Sequence, residues 1–229
     1  MENGNTRPAR EIVVPGELLN EGDLRAGNGT YIQDGKVYAS LLGVKSQSSS
    51  YVNVIPLGGR YMPQPGDSVV GVVIDIGPSN WIVEIDAPYP APMHVSEVPW
   101  KVEFGDTARF LNVGQVILAK VLMVDETMKV QVTLNESGLR RLEGGLLVDV
   151  SHSRIPRIIG KGGSMIQMIQ NLTDCRIFVG QNGRIWIDGE LPNMLLAEEA
   201  INMISEEAHT SRLTERVKEF LESRADTLE

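Results

Sequence analysis

The sequence predicts a multidomain protein in which two β-rich regions precede an α/β region that ends in helices. Three observations lead to this prediction. Short apolar runs separated by turn residues, without helical periodicity, dominate the chain up to Leu134. A glycine-rich turn at 160–163 then lies between two short helical patterns. From Leu191 onward, apolar residues recur at the spacing of amphipathic helices.

Composition limits the possible classes of protein. The 229-residue chain is long enough for two or three small domains. It lacks a run of about 18 apolar residues, and its polar N-terminus lacks the apolar region of a signal peptide. The single cysteine, Cys175, excludes an intramolecular disulfide and a cysteine-rich zinc site. We therefore expect a cytoplasmic protein without a membrane partner, a metal or another cofactor.

Charge is unevenly distributed along the chain. The net charge of −9 argues at first sight against binding to nucleic acid. However, residues 150–189 contain five basic and two acidic residues, whereas residues 191–229 contain nine acidic and four basic ones. Because the local field steers an anionic ligand more than the net charge does, residues 150–189 are the candidate region for nucleic-acid binding.

Residues 1–62 are predicted to form a small β domain. Strand-like runs lie at 12–14 and 51–55. Asp34-Gly35 separates two further runs, 30–33 and 36–42, and predicts a hairpin. Asp-Gly suits a type I′ turn because both central residues of that turn need a positive φ. No cluster of side chains in this region suggests chemistry.

Residues 63–138 are predicted to form a five-stranded OB-fold barrel. Several short strands separated by turns within about 70 residues are typical of such small barrels. Barrels of this kind often bind single-stranded nucleic acid through aromatic and basic residues on one face. The polar connection 135–145 is short, so we expect the next domain to lie close to the barrel. The predicted strands are 68–76, 81–85, a run near His94, 115–124 and 129–134.

Residues 145–229 are predicted to form a type I KH domain with a C-terminal helical extension. The order is strand, helix, glycine turn, helix, two strands joined at Asn182-Gly183, and a long helix. This is the KH arrangement, in which the glycine turn clamps a nucleotide backbone. The turn is not a Walker loop, because Gly162 follows the lysine where serine or threonine is required. The predicted elements are 146–150, 153–159, 164–172, 175–180, 184–188 and 191–209, followed by one more amphipathic helix.

The glycine turn has the chemistry of a site for a phosphate backbone. Its glycines let a foreign backbone approach, since no Cβ stands in the way. The helix that begins at Ser164 favours an anion through its N-terminal amides and its dipole. Lysine at the tip and arginines before the turn add positive charge. The residues assigned to RNA binding here are Arg154, Arg157, Ile158, Gly160, Lys161, Gly162 and Gly163.

No catalytic or metal site is predicted. His94 has no second ligand at metal-binding spacing, and the carboxylates do not resemble a two-metal nuclease. No Gly-X-Ser-X-Gly motif is present, and Cys175 lies in an apolar run where a core role is favoured over that of a nucleophile. Trp81, at the start of a barrel strand, fits a core position as well as it fits contact with nucleic acid.

The order of domains resembles that of the archaeal exosome RNA-binding cap subunits, the family known as ribosomal RNA-processing protein four. The resemblance covers nearly the whole chain. It is most specific in the sequence from Val13 to Leu19, in the barrel from Pro65 to Asn135, and in the KH segments 155–166 and 179–187. A sister cap family is similar at the N-terminus and the barrel but has a zinc ribbon instead of a KH domain. One cysteine cannot form that ribbon.

The resemblance implies a non-catalytic subunit that binds single-stranded RNA. Three copies would cap a hexameric ring of RNase PH-like proteins, alone or mixed with the zinc-ribbon cap subunit. The N-terminal and S1-type barrel domains would dock on the ring. RNA 3′ ends, with a preference for A-rich tails, would pass to the 3′–5′ exoribonuclease core. The S1-type pattern adds Trp81, His94 and Lys129 to the RNA-binding residues and places Asp125 beside them. Val83 replaces a second aromatic residue of that pattern, which weakens the stacking expected on the barrel.

Two other functions remain open from the sequence. One is a freestanding S1/KH RNA-binding factor of translation or transcription. The other, less favoured, is an RNA-processing enzyme with fused S1-type and KH domains. The first 60 residues are too few for the catalytic domain that such an enzyme would need, and they contain no catalytic cluster.

Overall fold

The computed structural model describes residues 11–225 except 23, 49, 209 and 211. The chain divides into two compact units, 1–59 and 60–229. The outermost residues of the predicted first and last domains, 1–10 and 226–229, lie outside the described residues. Among the helices of the described part, none is long and apolar enough to cross a membrane.

The first unit consists of two small sheets. One has the strand order β1-β6-β7-β3 and the other has the order β2-β5-β4. Side chains of Val13, Leu19, Ala39, Val52 and Val54 form its core. The strands are β1 (Ile12–Val13), β2 (Leu18–Asn20), β3 (Arg25–Ala26), β4 (Thr30–Gln33), β5 (Lys36–Ala39), β6 (Gly43–Gln47) and β7 (Tyr51–Pro56).

The predicted hairpin between β4 and β5 is confirmed. Asp34 and Gly35 have φ values of 52° and 73°, as a type I′ turn requires. In contrast, β2, β3 and β6 were not predicted. They are two to five residues long, and their alternation of buried and exposed residues is too short to stand out in the sequence.

The second unit begins with the predicted barrel. Its strands are antiparallel in the order β10-β9-β8-β11-β12, and β10 lies beside β12, which nearly closes the barrel. Inward-facing side chains include Val69, Val73, Trp81, Val83 and Met93. The strands, β8 (Ser68–Ile76), β9 (Asn80–Glu84), β10 (Ala91–His94), β11 (Val116–Val124) and β12 (Val130–Thr133), confirm the predicted OB-like barrel.

Residues 135–145 were predicted to be a short polar connection, but they also contain secondary structure. They include a strand, β13 (Arg140–Leu142), which pairs with β11 so that Leu142 lies opposite Val116. Leu142 is buried against Val70 and Trp186, while both arginines of β13 are exposed. One buried residue between polar ones gives no periodic signal, which explains why the sequence did not indicate this strand.

The rest of the second unit has the predicted KH order. The sheet is antiparallel with the strand order β14-β16-β15. Its inward side chains, including Val148, Ile177 and Ile185, share a core with the helices, and the last helix adds Leu213 and Val217. The elements are β14 (Leu146–Asp149), α1 (Ile155–Ile159), α2 (Ser164–Thr173), β15 (Arg176–Val179), β16 (Arg184–Asp188), α3 (Leu191–Glu206) and α4 (Leu213–Ala225).

The turn between β15 and β16 joins the KH domain to the barrel. Asn182 is fully buried. Its Oδ1 accepts a hydrogen bond from the Val70 N–H at 3.2 Å. Its Nδ2 donates to the carbonyl oxygens of Val70 at 2.8 Å and Ile85 at 3.0 Å. Trp186 packs against Val70 in a shared apolar cluster, so the KH sheet is fixed on the outside of the barrel.

Candidate nucleic-acid interface

Local packing determines the shape of the glycine turn. Helix α1 has a proline in its first turn and buries Ile155 and Ile158. It ends at Gly160, which has a φ of 74° and donates its N–H to the Pro156 carbonyl oxygen at 3.1 Å. A Cβ at Gly160 would lie 2.8 Å from the Met165 Cβ, so only glycine fits this position. Gly160 therefore has a packing role as well as a conformational one.

Gly162 has a different role. Its φ of 62° also lies in the left-handed region, but no atom comes within 4 Å of the position that a Cβ would occupy. The side of the turn at Gly162 is therefore open to solvent. An incoming phosphate backbone can approach the peptide groups there without meeting a side chain.

The cations before and within the turn have no acidic partners among the described residues. Arg154 and Arg157 are half-buried and Lys161 is exposed. Within the described part of the chain, none of the three forms an ion pair, and the buried Nε of Arg157 has no hydrogen-bond partner. Other KH cations are neutralised: Arg176 pairs with Asp188, and Arg184 with Glu84 and Asp149. Positive charge therefore remains available at the turn.

The N-terminus of α2 adds a second source of positive potential. Helix α2 has ten residues, begins next to Gly163, and has neither a side-chain cap nor an acidic residue in its first turn. Met165 and Ile169 anchor it in the KH core. Its first N–H groups thus have no side-chain acceptor among the described residues and closely follow Lys161 in the chain, which is favourable for an anion.

Two residues assigned to RNA binding lie in cores instead. Trp81 is fully buried in the barrel, where its indole Nε1–H donates to the Leu111 carbonyl oxygen at 3.2 Å. Ile158 is fully buried in the KH core. Neither side chain reaches the surface in this structure, and the two assignments to RNA binding stay predictions. The alternation of Trp81, Val83 and Ile85 along the strand already pointed to an inward face.

His94 and Lys129 are both exposed, at the end of β10 and just before the start of its neighbour β12. His94 lies opposite Asn80, near the C-terminal end of β8, and its Nδ1 accepts a hydrogen bond from the Ser96 N–H at 3.2 Å. Lys129 precedes β12, beyond the N-terminal end of β8. In the described part of the chain, no hydrogen bond or ion pair joins either side chain to the glycine turn. Their assignment to RNA binding stays a prediction.

The turn that contains Lys129 is built around Asp125. The Asp125 Oδ1 accepts hydrogen bonds from the Thr127 hydroxyl at 2.7 Å, the Thr127 N–H at 2.8 Å and the Lys129 N–H at 2.9 Å. The Thr127 hydroxyl is the main cause of a lowered pKa at this carboxyl, with the Lys129 N–H next. Asp125 therefore shapes the turn through its Oδ1.

Comparison with known proteins agrees with this architecture. Residues 10–58 match the family model described as the N-terminal domain of the exosome RNA-binding protein RRP4, and residues 145–193 match a KH domain model. The exosome complex component Rrp4 of Thermoplasma volcanium is 46% identical over 93% of this chain and 90% of its own length. The chain belongs to the Rrp4 family. The Rrp4 of Methanosarcina acetivorans is 45% identical over 93% of this chain and 82% of its own.

A solved structure supports the same family. The crystal structure of an exosome complex RNA-binding protein is 36% identical, with a TM-score of 0.68, over 75% of this chain and 100% of that protein. The predicted resemblance to exosome RNA-binding subunits is thus confirmed. The relatives are described as exosome components, and the N-terminal family model as that of an RNA-binding protein.

Proposed function

We propose that this Rrp4-family chain is a non-catalytic cap subunit that captures RNA 3′ ends in the cytoplasm and passes them to an RNase PH-like ring. One observation supports RNA capture above the others. Arg154 and Arg157 precede an open glycine turn that contains Lys161, and within the described residues the three cations lack acidic partners. Family membership supplies the assembly in which the captured RNA is used.

The proposed capture is electrostatic. Lys161, Arg157 and Arg154 neutralise successive phosphates, and the backbone at Gly162 allows the strand to approach closely. Each phosphate contact adds a slope of about −0.7 to the dependence of log affinity on log salt for a single strand. Binding to one turn is therefore modest at high salt. Three copies around one ring raise the overall affinity, because linked weak sites act together.

The first unit is the proposed surface for the ring. Among the described residues its core cluster consists of five buried side chains, whereas Ile12, Val14, Ile32 and Ile55 are each more than half exposed. Apolar side chains exposed in such number mark interaction surfaces. We propose that they dock on RNase PH-like subunits, with three such subunits per ring, alone or mixed with the zinc-ribbon cap subunit.

Charge reversal at the turn tests the capture. The variant Lys161→Asp with Gly162→Asp should bind single-stranded RNA at least about tenfold more weakly, and its salt slope should fall by about 0.7 or more. Fluorescence anisotropy at several salt concentrations measures both quantities. Lys218→Asp, which removes an exposed cation from α4, is the matched control and should bind like the wild type. An unchanged affinity and slope in the turn variant would exclude the turn as the clamp.

Assembly, catalysis and tail preference need separate measurements. Co-purification with RNase PH-like proteins supports a ring subunit, whereas isolation without them supports a freestanding factor.

Purified chain incubated with RNA and phosphate should leave the RNA intact, and sustained degradation would contradict a non-catalytic role. Oligoadenylate should bind more tightly than oligouridylate of equal length if A-rich tails are preferred.

A further inference from the structure

A second polar and aromatic site lies on the barrel, in the segment 99–110 that connects β10 to β11. A cavity of about 450 Å³ opens there, lined by Lys101, Glu103, Asp106, Arg109 and Phe110. None of these residues belongs to the glycine turn or to the contacts between the barrel and the KH domain. We refer to it as the aromatic cavity.

Aromatic rings form the apolar part of this site. Phe110 stacks on Trp100, with 5.8 Å between ring centroids and 20° between planes. Phe104 follows the lining residue Glu103, and 84% of its surface is exposed, the largest value among the exposed large apolar residues of the described chain. An exposed phenylalanine ring contributes little hydrophobic free energy to folding. Packing of the barrel therefore does not account for its position.

The backbone on either side of Phe104 is held in place. The Gly105 N–H donates to the Pro78 carbonyl oxygen at 2.9 Å, and the Thr107 hydroxyl donates to the Gly77 carbonyl oxygen at 2.7 Å. Both acceptors lie in the turn that follows β8. Phe104 is therefore presented from a backbone fixed to the end of a barrel strand, which reduces the entropy lost on binding.

The charges of the cavity favour a base over a phosphate. Arg109 pairs with Asp106 at 3.0 Å, and the remaining lining charges, Lys101 and Glu103, are of opposite sign. A phosphate would meet two carboxylates here. A nucleobase carries no net charge, offers hydrogen-bond donors and acceptors at its edge, and has a π-face that stacks on aromatic rings.

We propose that the aromatic cavity and Phe104 bind one unpaired nucleobase of the RNA strand that the glycine turn holds by its backbone. This inference rests on the proposed function, since it needs RNA on the same subunit. The KH domain contacts β8 at Ser68 and Val70, whereas the Gly105–Pro78 contact lies past the other end of that strand. The nine residues of β8 separate these two contacts by about 26 Å. Only RNA long enough to span β8 reaches both.

Substitutions of Phe104 test the inference in the full chain, with oligoadenylate long enough to span β8 as the probe. Phe104→Ala should lower affinity about tenfold, because stacking of one base on an aromatic side chain contributes on that scale. The salt slope should stay that of the wild type, since no phosphate contact is lost. Phe104→Trp should restore binding. Val113→Ala, which shortens another exposed apolar side chain of the barrel, is the matched control and should have no effect.

Two comparisons decide between a base and other occupants. With RNA that carries abasic sites, Phe104→Ala should bind like the wild type, since there is no base to stack. Phe104→Leu keeps an apolar side chain but no ring, so it should behave like Phe104→Ala. Full affinity of Phe104→Leu or Phe104→Ala for the base-containing probe would overturn the inference, and the site would then be an apolar protein contact. The salt slope of the Lys161→Asp, Gly162→Asp variant separately decides the proposed function.

Discussion

The glycine turn and the aromatic cavity differ in almost every property that matters to RNA. The turn has unpaired cations and an open glycine, and its neighbouring apolar side chains, such as Ile158, are buried. The cavity has balanced charges, a stacked ring pair and an exposed phenylalanine. The first arrangement suits a phosphate backbone and the second a base. The difference indicates that one subunit can hold a strand without reading its sequence at one end and still sense a base at the other.

The largest expected effect comes from breaking the link between the two sites. Asn182→Leu leaves the Val70 N–H and the carbonyl oxygens of Val70 and Ile85 without partners in a buried junction. The unit should lose about 3 kcal/mol of unfolding free energy, since buried unsatisfied groups cost about 1–3 kcal/mol each. Urea denaturation measures the loss.

The same variant tests whether a rigid junction matters for binding. The variant should bind long RNA with a smaller gain in affinity over short RNA than the wild type does, because the distance between the sites is no longer fixed. Gln181→Ala is the milder comparison, since it removes only the hydrogen bond that the exposed Gln181 Oε1 accepts from the Ser68 N–H at 3.1 Å and keeps the donation of its backbone N–H to the Ser68 carbonyl oxygen. Equal stability of Asn182→Leu and wild type would show that the junction does not depend on this side chain.

Two glycine substitutions of intermediate effect separate packing from binding within the turn. Gly160→Ala should destabilise the second unit by about 2 kcal/mol, because the new Cβ meets Met165 and the left-handed backbone is unfavourable for alanine. Gly162→Ala carries only the backbone strain, about 1 kcal/mol, since the space around it is open.

The order of the two variants in RNA affinity should differ from their order in stability. Under conditions where both are folded, Gly162→Ala should weaken binding at least as much as Gly160→Ala, because its methyl group stands where the strand approaches. Thermal unfolding and anisotropy on the same samples give both rankings. A Gly162→Ala protein with wild-type affinity would mean that the strand approaches elsewhere.

A smaller quantity, the coupling between the two sites, tests their independence. Lys161→Ala and Phe104→Ala should reduce affinity for long RNA additively, with a coupling free energy below about 0.5 kcal/mol, as is usual for distant residues. A double-mutant cycle measures the coupling. A much larger value would mean that both side chains contact the same nucleotide, which contradicts two separate sites.

The smallest expected effect is on the pH dependence of stability. Burial lowers the pKa of His152, and the nearby Asp86 carboxylate partly opposes this shift. The unfolded chain therefore binds a proton at His152 more readily than the folded chain does. The folded state is not penalised above the unfolded pKa of about 6.5, and its free energy of unfolding decreases as the pH falls below that value. His152→Gln should flatten the melting temperature between neutral and mildly acidic pH. A profile as steep as that of the wild type would assign the dependence to other groups.

The sequence predicted those parts of the fold that are encoded locally. The strands from Ser68 to Thr133 alternate over enough residues to be recognised, and Asp34-Gly35 encodes its own turn. The glycine turn was predicted because its conformation depends on the glycines within it. Short elements such as β2 and β3 have too few residues for any period to show.

The missed features depend on distant partners. Asn182 looked like an ordinary turn residue, but its hydrogen bonds reach Val70, 112 positions earlier in the chain. Leu142 is buried against Val70 and Trp186, which are both distant from it in the chain. For the site, the cations could be found from composition, whereas their lack of acidic partners required coordinates. The aromatic cavity combines residues whose spacing matches no recognised motif.

The junction at Asn182 also has a consequence during synthesis on the ribosome. The barrel strands are complete by Thr133, but the side chains that cover Val70 and Leu142 are made about fifty residues later. Until Trp186 has left the exit tunnel, the nascent barrel presents an apolar face to solvent. A chain that stalls before β16 is therefore expected to be a target for chaperones, and the barrel reaches its final state together with the KH domain.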